Sequence, residues 1–205
     1  MINVIIVGSS RLGLDILQLI ENSHSCFEYV FSGYVDDQGP APLYQDVNMM
    51  YLGKVKDLIV QPKDKYIIAV DSVALRIKLV EFISGAGGNF LSYIHPTAVL
   101  GNSVTKGEGV FVGPYCFVAD HCHLGSFSVL KSRNLIRKYA SIGMFCLLAE
   151  NALVGKGISL GVGNYLGEGS VIKSVKTSFP VEYSGLEKEN PINFQWDHIP
   201  WISLN

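Results

Sequence analysis

Two groups of residues have the types and spacing to do chemistry. The first is the run Gly8-Ser9-Ser10-Arg11-Leu12-Gly13, which follows an apolar stretch at residues 4–7. Where a parallel strand turns into a helix, the backbone amides of Ser9, Ser10 and Arg11 can cradle a phosphate. Asp36 and Asp37 end the next apolar run and can accept from a ribose or a base. The alternative for this pair is a solvated turn after a strand. The full dinucleotide fingerprint needs three glycines and this run lacks one, which argues against a dehydrogenase. The second group is Asp120 and His121, with His123 beside them and Lys138 and Tyr139 eighteen residues on. A histidine titrates near neutrality and can act as a general base, and an adjacent carboxylate can orient it or raise its pKa. A lysine, with a reference pKa of about 10.4, is a poor base unless strongly desolvated. The alternative is that Asp120, His121 and His123 form an ordinary solvated turn.

The elements that position these groups are of two kinds. Residues 4–7, 29–35 and 66–70 read as apolar strands, and residues 12–22 and 74–83 as helices, with a short amphipathic piece at 55–60. Strand, helix, strand, strand, helix is the alternation of a small parallel α/β unit. From His95 to Lys173 an aliphatic residue recurs every sixth position, from Leu100 through Val112, Leu124, Ile136, Leu148 and Leu160 to Ile172, with Lys106 the single charged residue in the row. A glycine or alanine usually follows it. Neither a helix nor a plain strand has this period, whereas a β-helix solenoid does. Three hexads make one coil, so residues eighteen apart stack. The inward ladders read Val104-Cys122-Ala140-Ile158, Val110-Ser128-Cys146-Asn164 and Cys116-Asn134-Ala152-Ser170, the asparagines bonding neighbouring backbone. Phe111, Phe117, Val129, Leu135, Leu147, Leu153 and Tyr165 point outward, more apolar surface than solvent tolerates, which predicts a ring of like subunits. Phe90 to Pro96 bridge the halves without a long linker, so the two units are expected to pack closely; His95 is read as a structural residue of the entry coil. The expected division is 1–92, 93–175 and a tail at 176–205.

Composition narrows the function classes. The chain has 205 residues and a formal net charge of -2, which argues against binding nucleic acid by phosphate neutralisation. Although 48% of residues are hydrophobic, no apolar run approaches the roughly 18 residues of a membrane span. The first residues read as a buried strand rather than a signal peptide. Cys26, Cys116, Cys122 and Cys146 lack metal-ligand spacing, and three sit at small inward hexad positions, so packing is expected, with no metal. These features fit a reduced, cytoplasmic protein.

With both halves in view, the chain resembles the hexapeptide-repeat sugar acyltransferases, the family that includes sialic acid O-acetyltransferases and N-acetyltransferases of nucleotide-linked amino sugars. The residues that carry the resemblance are Ile5 to Gly8 with Gly13, Tyr34-Val35-Asp36-Asp37, Leu52-Gly53, Arg76, Ile94-His95-Pro96-Thr97-Ala98 and the gapless hexads. The resemblance implies an N-terminal, Rossmann-like α/β domain that holds a nucleotide sugar through Gly8, Ser9, Ser10, Asp36, Asp37 and Arg76. It implies a left-handed parallel β-helix that binds acetyl-CoA or another acyl-CoA between neighbouring subunits of a homotrimer, with Leu147, Asn151 and Lys156 on the cofactor. The implied reaction is acyl transfer to a sugar amine or hydroxyl in bacterial surface-polysaccharide or amino-sugar synthesis. Several family positions differ here. The catalytic histidine falls on Lys138 and its usual acid on Tyr139; two further histidines fall on Leu147 and Leu12. A glycine is replaced at Asp71, and the terminal Gly-x-Pro-Ala-Lys reads Gly185-Leu186-Glu187-Lys188-Glu189. His121, one coil from Lys138 on the same face, is then a candidate relocated base with Asp120 as its orienting acid. The alternatives are a catalytically silent homologue that binds a nucleotide sugar or a pathway partner, and a purely structural trimer.

Overall fold

The computed structural model describes residues 1–23, 28–70 and 72–173. Cys26, Asp71, the run around Gly185 and the aromatic-rich tail lie outside the described residues.

Five strands form one parallel sheet in the order β3-β2-β1-β4-β5, with β1 at Ile2–Val7, β2 at Tyr29–Val35, β3 at Tyr51–Gly53, β4 at Lys65–Ile68 and β5 at Asn89–Phe90. The apolar run of β1 takes the centre, where Val4, Ile6 and Val7 lose all contact with solvent. Helix α1 (Arg11–Glu21) follows β1, and α2 (Val73–Gly85) follows β4. Leucines and isoleucines three and four apart bury α1 on two sides. Leu14 and Leu17 meet Tyr34 and Tyr44, while Leu12, Ile16 and Ile20 face the solenoid. Strand β3 has no apolar run of its own; it exists because Tyr51 and Gly53 pair with Tyr34 and Val35 of β2. Residues 55–57 form a single 3-10 turn, Val55–Asp57, rather than a longer amphipathic segment.

From Tyr93 onward, two-residue strands recur every six residues and pair in parallel with the strands eighteen residues away, for example Val99, Phe117, Leu135, Leu153 and Val171 in one column. The coil has three sheets, and its short, regularly spaced parallel strands fit a left-handed β-helix. The second residue of each strand points inward, so Val118, Leu124, Leu130, Ile136, Ile142 and Leu148 are fully buried in a continuous core. The three thiols in this core donate to carbonyls, Cys116 to Lys131 at 2.8 Å, Cys122 to Arg137 at 3.1 Å and Cys146 to Gly161 at 3.0 Å. Burial pushes all three up, Cys146 to about 11, so they stay protonated and act as donors. Asn134, 1% exposed, donates to the Leu148 carbonyl at 3.4 Å and accepts from the Ala152 amide at 2.9 Å, fastening one coil to the next. Asn134→Ala strands the Ala152 amide, while the Leu148 carbonyl keeps its bond from the Lys131 amide, and is expected to cost about 1–3 kcal/mol. Urea unfolding would report it as a lower midpoint at unchanged slope.

From Gly109 onward each corner is closed by a residue in the left-handed region. Tyr115, His121, Phe127, Arg133, Tyr139, Phe145 and Asn151 all have φ between 57° and 63°. L-residues adopt this conformation at a cost, which is offset here by bonds between coils. The Phe127 amide donates to the Glu108 carbonyl at 2.7 Å and that of Phe145 to Ser126 at 2.9 Å.

The outward apolar residues divide into two sets, which corrects the expectation that all seven face a neighbour. Phe111 and Val129 are buried, and with Leu147 they pack on Leu12, Ile16 and Ile20 of the chain's own α1, while Tyr165, next in that column, is exposed. The exposed column is Val99, Phe117, Leu135 and Val171, with Leu153 half-buried between the last two. The third sheet turns Thr105, His123, Ser141 and Ser159 outward and is polar.

Candidate functional site

The first site is a cleft of about 340 Å³ at the carboxyl ends of β1, β2 and β4. β1 has β2 on one side and β4 on the other, so the connections leave it in opposite directions, the place where open parallel sheets hold ligands. Gly8, Ser9, Ser10, Asp36 and Asp37 all line it. Gly8 has φ +98°, and a Cβ there would fall 2.5 Å from the Ala69 carbonyl oxygen, so only glycine permits this turn. Ser9 Oγ donates to Asp36 Oδ2 at 2.6 Å, and the Gln38 amide donates to Asp36 Oδ1 at 2.8 Å. Asp37 accepts from the Val55 amide at 3.0 Å. The two carboxylates therefore hold the loop in shape, and their remaining lone pairs are available to hydroxyl donors. Ser10 N-caps α1; its amide, expected on a phosphate, donates instead to the Ala69 carbonyl at 3.2 Å, and its Oγ is buried without a hydrogen-bond partner among the described residues. Val70, Ser72, Leu75 and Leu79 complete the wall; sequence reading did not select them, although Ser72 just before an apolar helix is a recognisable N-cap.

Arg76 is elsewhere. It is 2% exposed, and its guanidinium donates to the carbonyls of Phe127 and Phe145 and lies over the Phe145 ring, 5.9 Å from its centroid. Helical spacing explains the placement. Leu75 and Leu79 face the cleft, and Arg76, one residue round the helix, faces the solenoid.

The second site is the solenoid corner carrying Asp120, His121, Lys138, Tyr139 and Lys156. The rings of His121 and Tyr139 stack at 5.1 Å with 3° between their planes, and Lys156 Nζ lies 5.8 Å from the Tyr139 centroid. Lys138 Nζ pairs with Asp120 Oδ2 at 3.6 Å, and Asp120 Oδ1 accepts from the Asn102 amide at 3.1 Å. The expected Asp120–His121 partnership is thus replaced by an Asp120–Lys138 pair, because stacking by eighteen places 138 directly beside 120. The 120/138/156 spacing also brings in Lys156, which sequence reading placed on the cofactor. Leu147 packs towards α1 and Asn151 turns a different corner, so one protomer does not gather Leu147, Asn151 and Lys156. His95 bonds Thr97 through Nδ1 and lies edge-on to Tyr93, in keeping with a structural place in the first coil. Among the described residues no group of three or more His, Cys, Asp or Glu is arranged to hold a metal ion, and no helix is long and apolar enough to cross a membrane.

A coil of hexads behind a parallel α/β sheet defines a class by fold, and solved structures share it. A perosamine N-acetyltransferase from Caulobacter crescentus, in complex with CoA and GDP-perosamine, superposes with a TM-score of 0.64 at 20% identity over 83% of this chain and 88% of that one. WeeI from Acinetobacter baumannii AYE gives 0.59 at 18% identity over 83% and 94% of the two chains. The acetyltransferase domain of PglB from Neisseria gonorrhoeae FA1090 gives 0.50 at 17% identity over 83% and 90%. At these identities the likeness establishes a shared fold. No family model and no curated protein matches the sequence.

Proposed function

We propose that this protein transfers an acetyl or other acyl group from acyl-CoA to an amine or hydroxyl of a nucleotide-linked sugar, in the cytoplasmic stages of bacterial surface-polysaccharide or amino-sugar synthesis. Residues 1–92 act as a Rossmann-like nucleotide-sugar domain, 93–175 as a left-handed β-helix for the acyl donor, and 176–205 as a separate tail, in a homotrimer. The observation that carries this reading is the cleft itself. The Ser9 and Arg11 amides at the start of α1, a Ser10 hydroxyl with no partner among the described residues and two carboxylates meet at a sheet switch point, which is chemistry suited to a diphosphate and a ribose. The likeness in fold to a perosamine N-acetyltransferase with CoA and GDP-perosamine bound supports it. Arg137, Lys138, Lys156 and Lys173 supply exposed cations along one edge of the upper coils, suited to the phosphates of a CoA. The acceptor's lone pair attacks the thioester carbonyl, the C–S bond breaks, and His121 takes the acceptor's proton and passes it to the departing thiolate.

A specific observation favours a second reading, a silent nucleotide-sugar binder. Lys138, an ammonium donor with no acceptor capacity, holds the turn position and is engaged by Asp120. Mixing the protein with acetyl-CoA and GDP-perosamine and following thiol release separates these readings. Release that requires both substrates supports transfer; nucleotide-sugar binding without release supports the silent binder; neither leaves a structural trimer. Asp36→Ala is expected to raise the KM for the nucleotide sugar about tenfold, the loss of one charge-assisted hydrogen bond, with the KM for acetyl-CoA unchanged.

A further inference from the structure

We infer that Arg76 is a positioning residue for the cleft: it sets how far α2 sits along the solenoid, and α2 in turn is one wall of the cleft. This rests on the nucleotide reading of that cleft. Two sides of α2 serve two structures. Ser72, at its N-cap, and Leu75 and Leu79 line the cleft, while Arg76, Ile77, Val80 and Ile83 are buried towards the sheet and the coil. The helix lies along a corner column of the solenoid, Gly109-Phe127-Phe145-Gly163, whose members are all in the left-handed region. Val73 sits against Gly163, where an added Cβ would lie 3.1 Å from Val73 Cγ1. Three residues further along α2, Arg76 reaches the Phe145 and Phe127 carbonyls on the next two coils. Three helical residues rise about 4.5 Å and coils repeat at about 4.8 Å, so helix and column share a register for this stretch.

Val73 on Gly163 marks one end of this register, and the apolar contacts to Phe127 and Phe145 are non-directional. Two directional bonds from one guanidinium fork to carbonyls on successive coils supply the direction that these contacts lack. The carbonyls are presented outward by the left-handed corners, so the site for the fork is made by the solenoid and read by the α/β unit. The turn before α2 is tied to the same frame, since the Ser10 amide donates to Ala69 at 3.2 Å and the Ala69 amide donates to Val7 at 2.7 Å.

The test is amide hydrogen exchange on the full chain for the wild type, Arg76→Met and Arg76→Lys, with calorimetric titration of GDP and UDP. Arg76→Met is expected to speed exchange in α2 about tenfold or more and to weaken the bound nucleoside diphosphate by a similar factor. The coils at 99–172 stay protected and acetyl-CoA affinity is unchanged. Arg76→Lys, which keeps one donor group, falls between. Wild-type exchange in α2 of Arg76→Met overturns the inference, as does an equal rise across both units, which marks a general stability residue. If neither nucleotide binds the wild type, the nucleotide reading fails while the exchange result still decides the role of Arg76.

Discussion

His121→Asn is expected to lower kcat for acyl transfer by about 10²–10⁴-fold, the usual contribution of a positioned general base, with little change in either KM. Asparagine is the right replacement because position 121 has φ 58°, a conformation that asparagine tolerates better than most residues. A loss of rate then reports chemistry rather than a broken corner. Of the five polar side chains gathered here, Lys138 and Lys156 are donors without acceptor capacity, and Asp120 is committed to Lys138 and the Asn102 amide. Tyr139 offers a ring under His121 and a second face to Lys156. The imidazole carries a ring nitrogen with a lone pair to accept a proton, and stacking on Tyr139 holds its plane fixed. Asp120→Asn is the matched control, expected to change kcat only a few-fold because its carboxylate faces Lys138. Full activity in His121→Asn would remove this histidine from the mechanism and move attention to the silent binder.

How far the sequence discloses this arrangement depends on which interactions repeat. The coil is legible because its interior imposes a rule on every hexad: an aliphatic residue such as Ile136 must fill the core while the small inward positions keep the coils close. The cleft is legible for a related reason, since the strand-to-helix turn at Gly8 requires a particular backbone. What does not repeat is harder to read. Phe111 and Phe117 occupy equivalent hexad positions, yet one is buried by α1 and the other is open. Docking of the α/β unit on one sheet makes that distinction, and no local pattern records it. Adjacency misleads at corners for the same geometric reason. Asp120 and His121 are neighbours in sequence, but their side chains engage the coil above, Lys138 and Tyr139 respectively. The partners of Arg76 are backbone carbonyls 51 and 69 residues away, and backbone carbonyls have no sequence signature.

Leu135→Glu is expected to convert the proposed trimer to a monomer, read as a threefold fall in mass by light scattering, and to abolish transfer with it. Leu135 stands in the middle of the open column, with Phe117 and Leu153 in register on either side. A carboxylate buried there against a neighbour's apolar surface lacks a partner, and several kcal/mol of desolvation fall on every copy of the interface, enough for about a 10³-fold loss in association. The protomer itself should fold, because Leu135 is 37% exposed and its neighbour Ile136 carries the core contact. Ser141→Glu, on the polar sheet, controls for charge and should leave the mass unchanged. Activity should follow assembly because Asn151 and Lys156 turn different corners of one coil and Leu147 is turned towards α1. A single protomer presents only part of the proposed donor site, and a second coil alongside would supply a further corner. A monomeric Leu135→Glu that keeps full transfer would instead confine the acyl donor to one protomer, with the Lys138–Lys156 edge as its place.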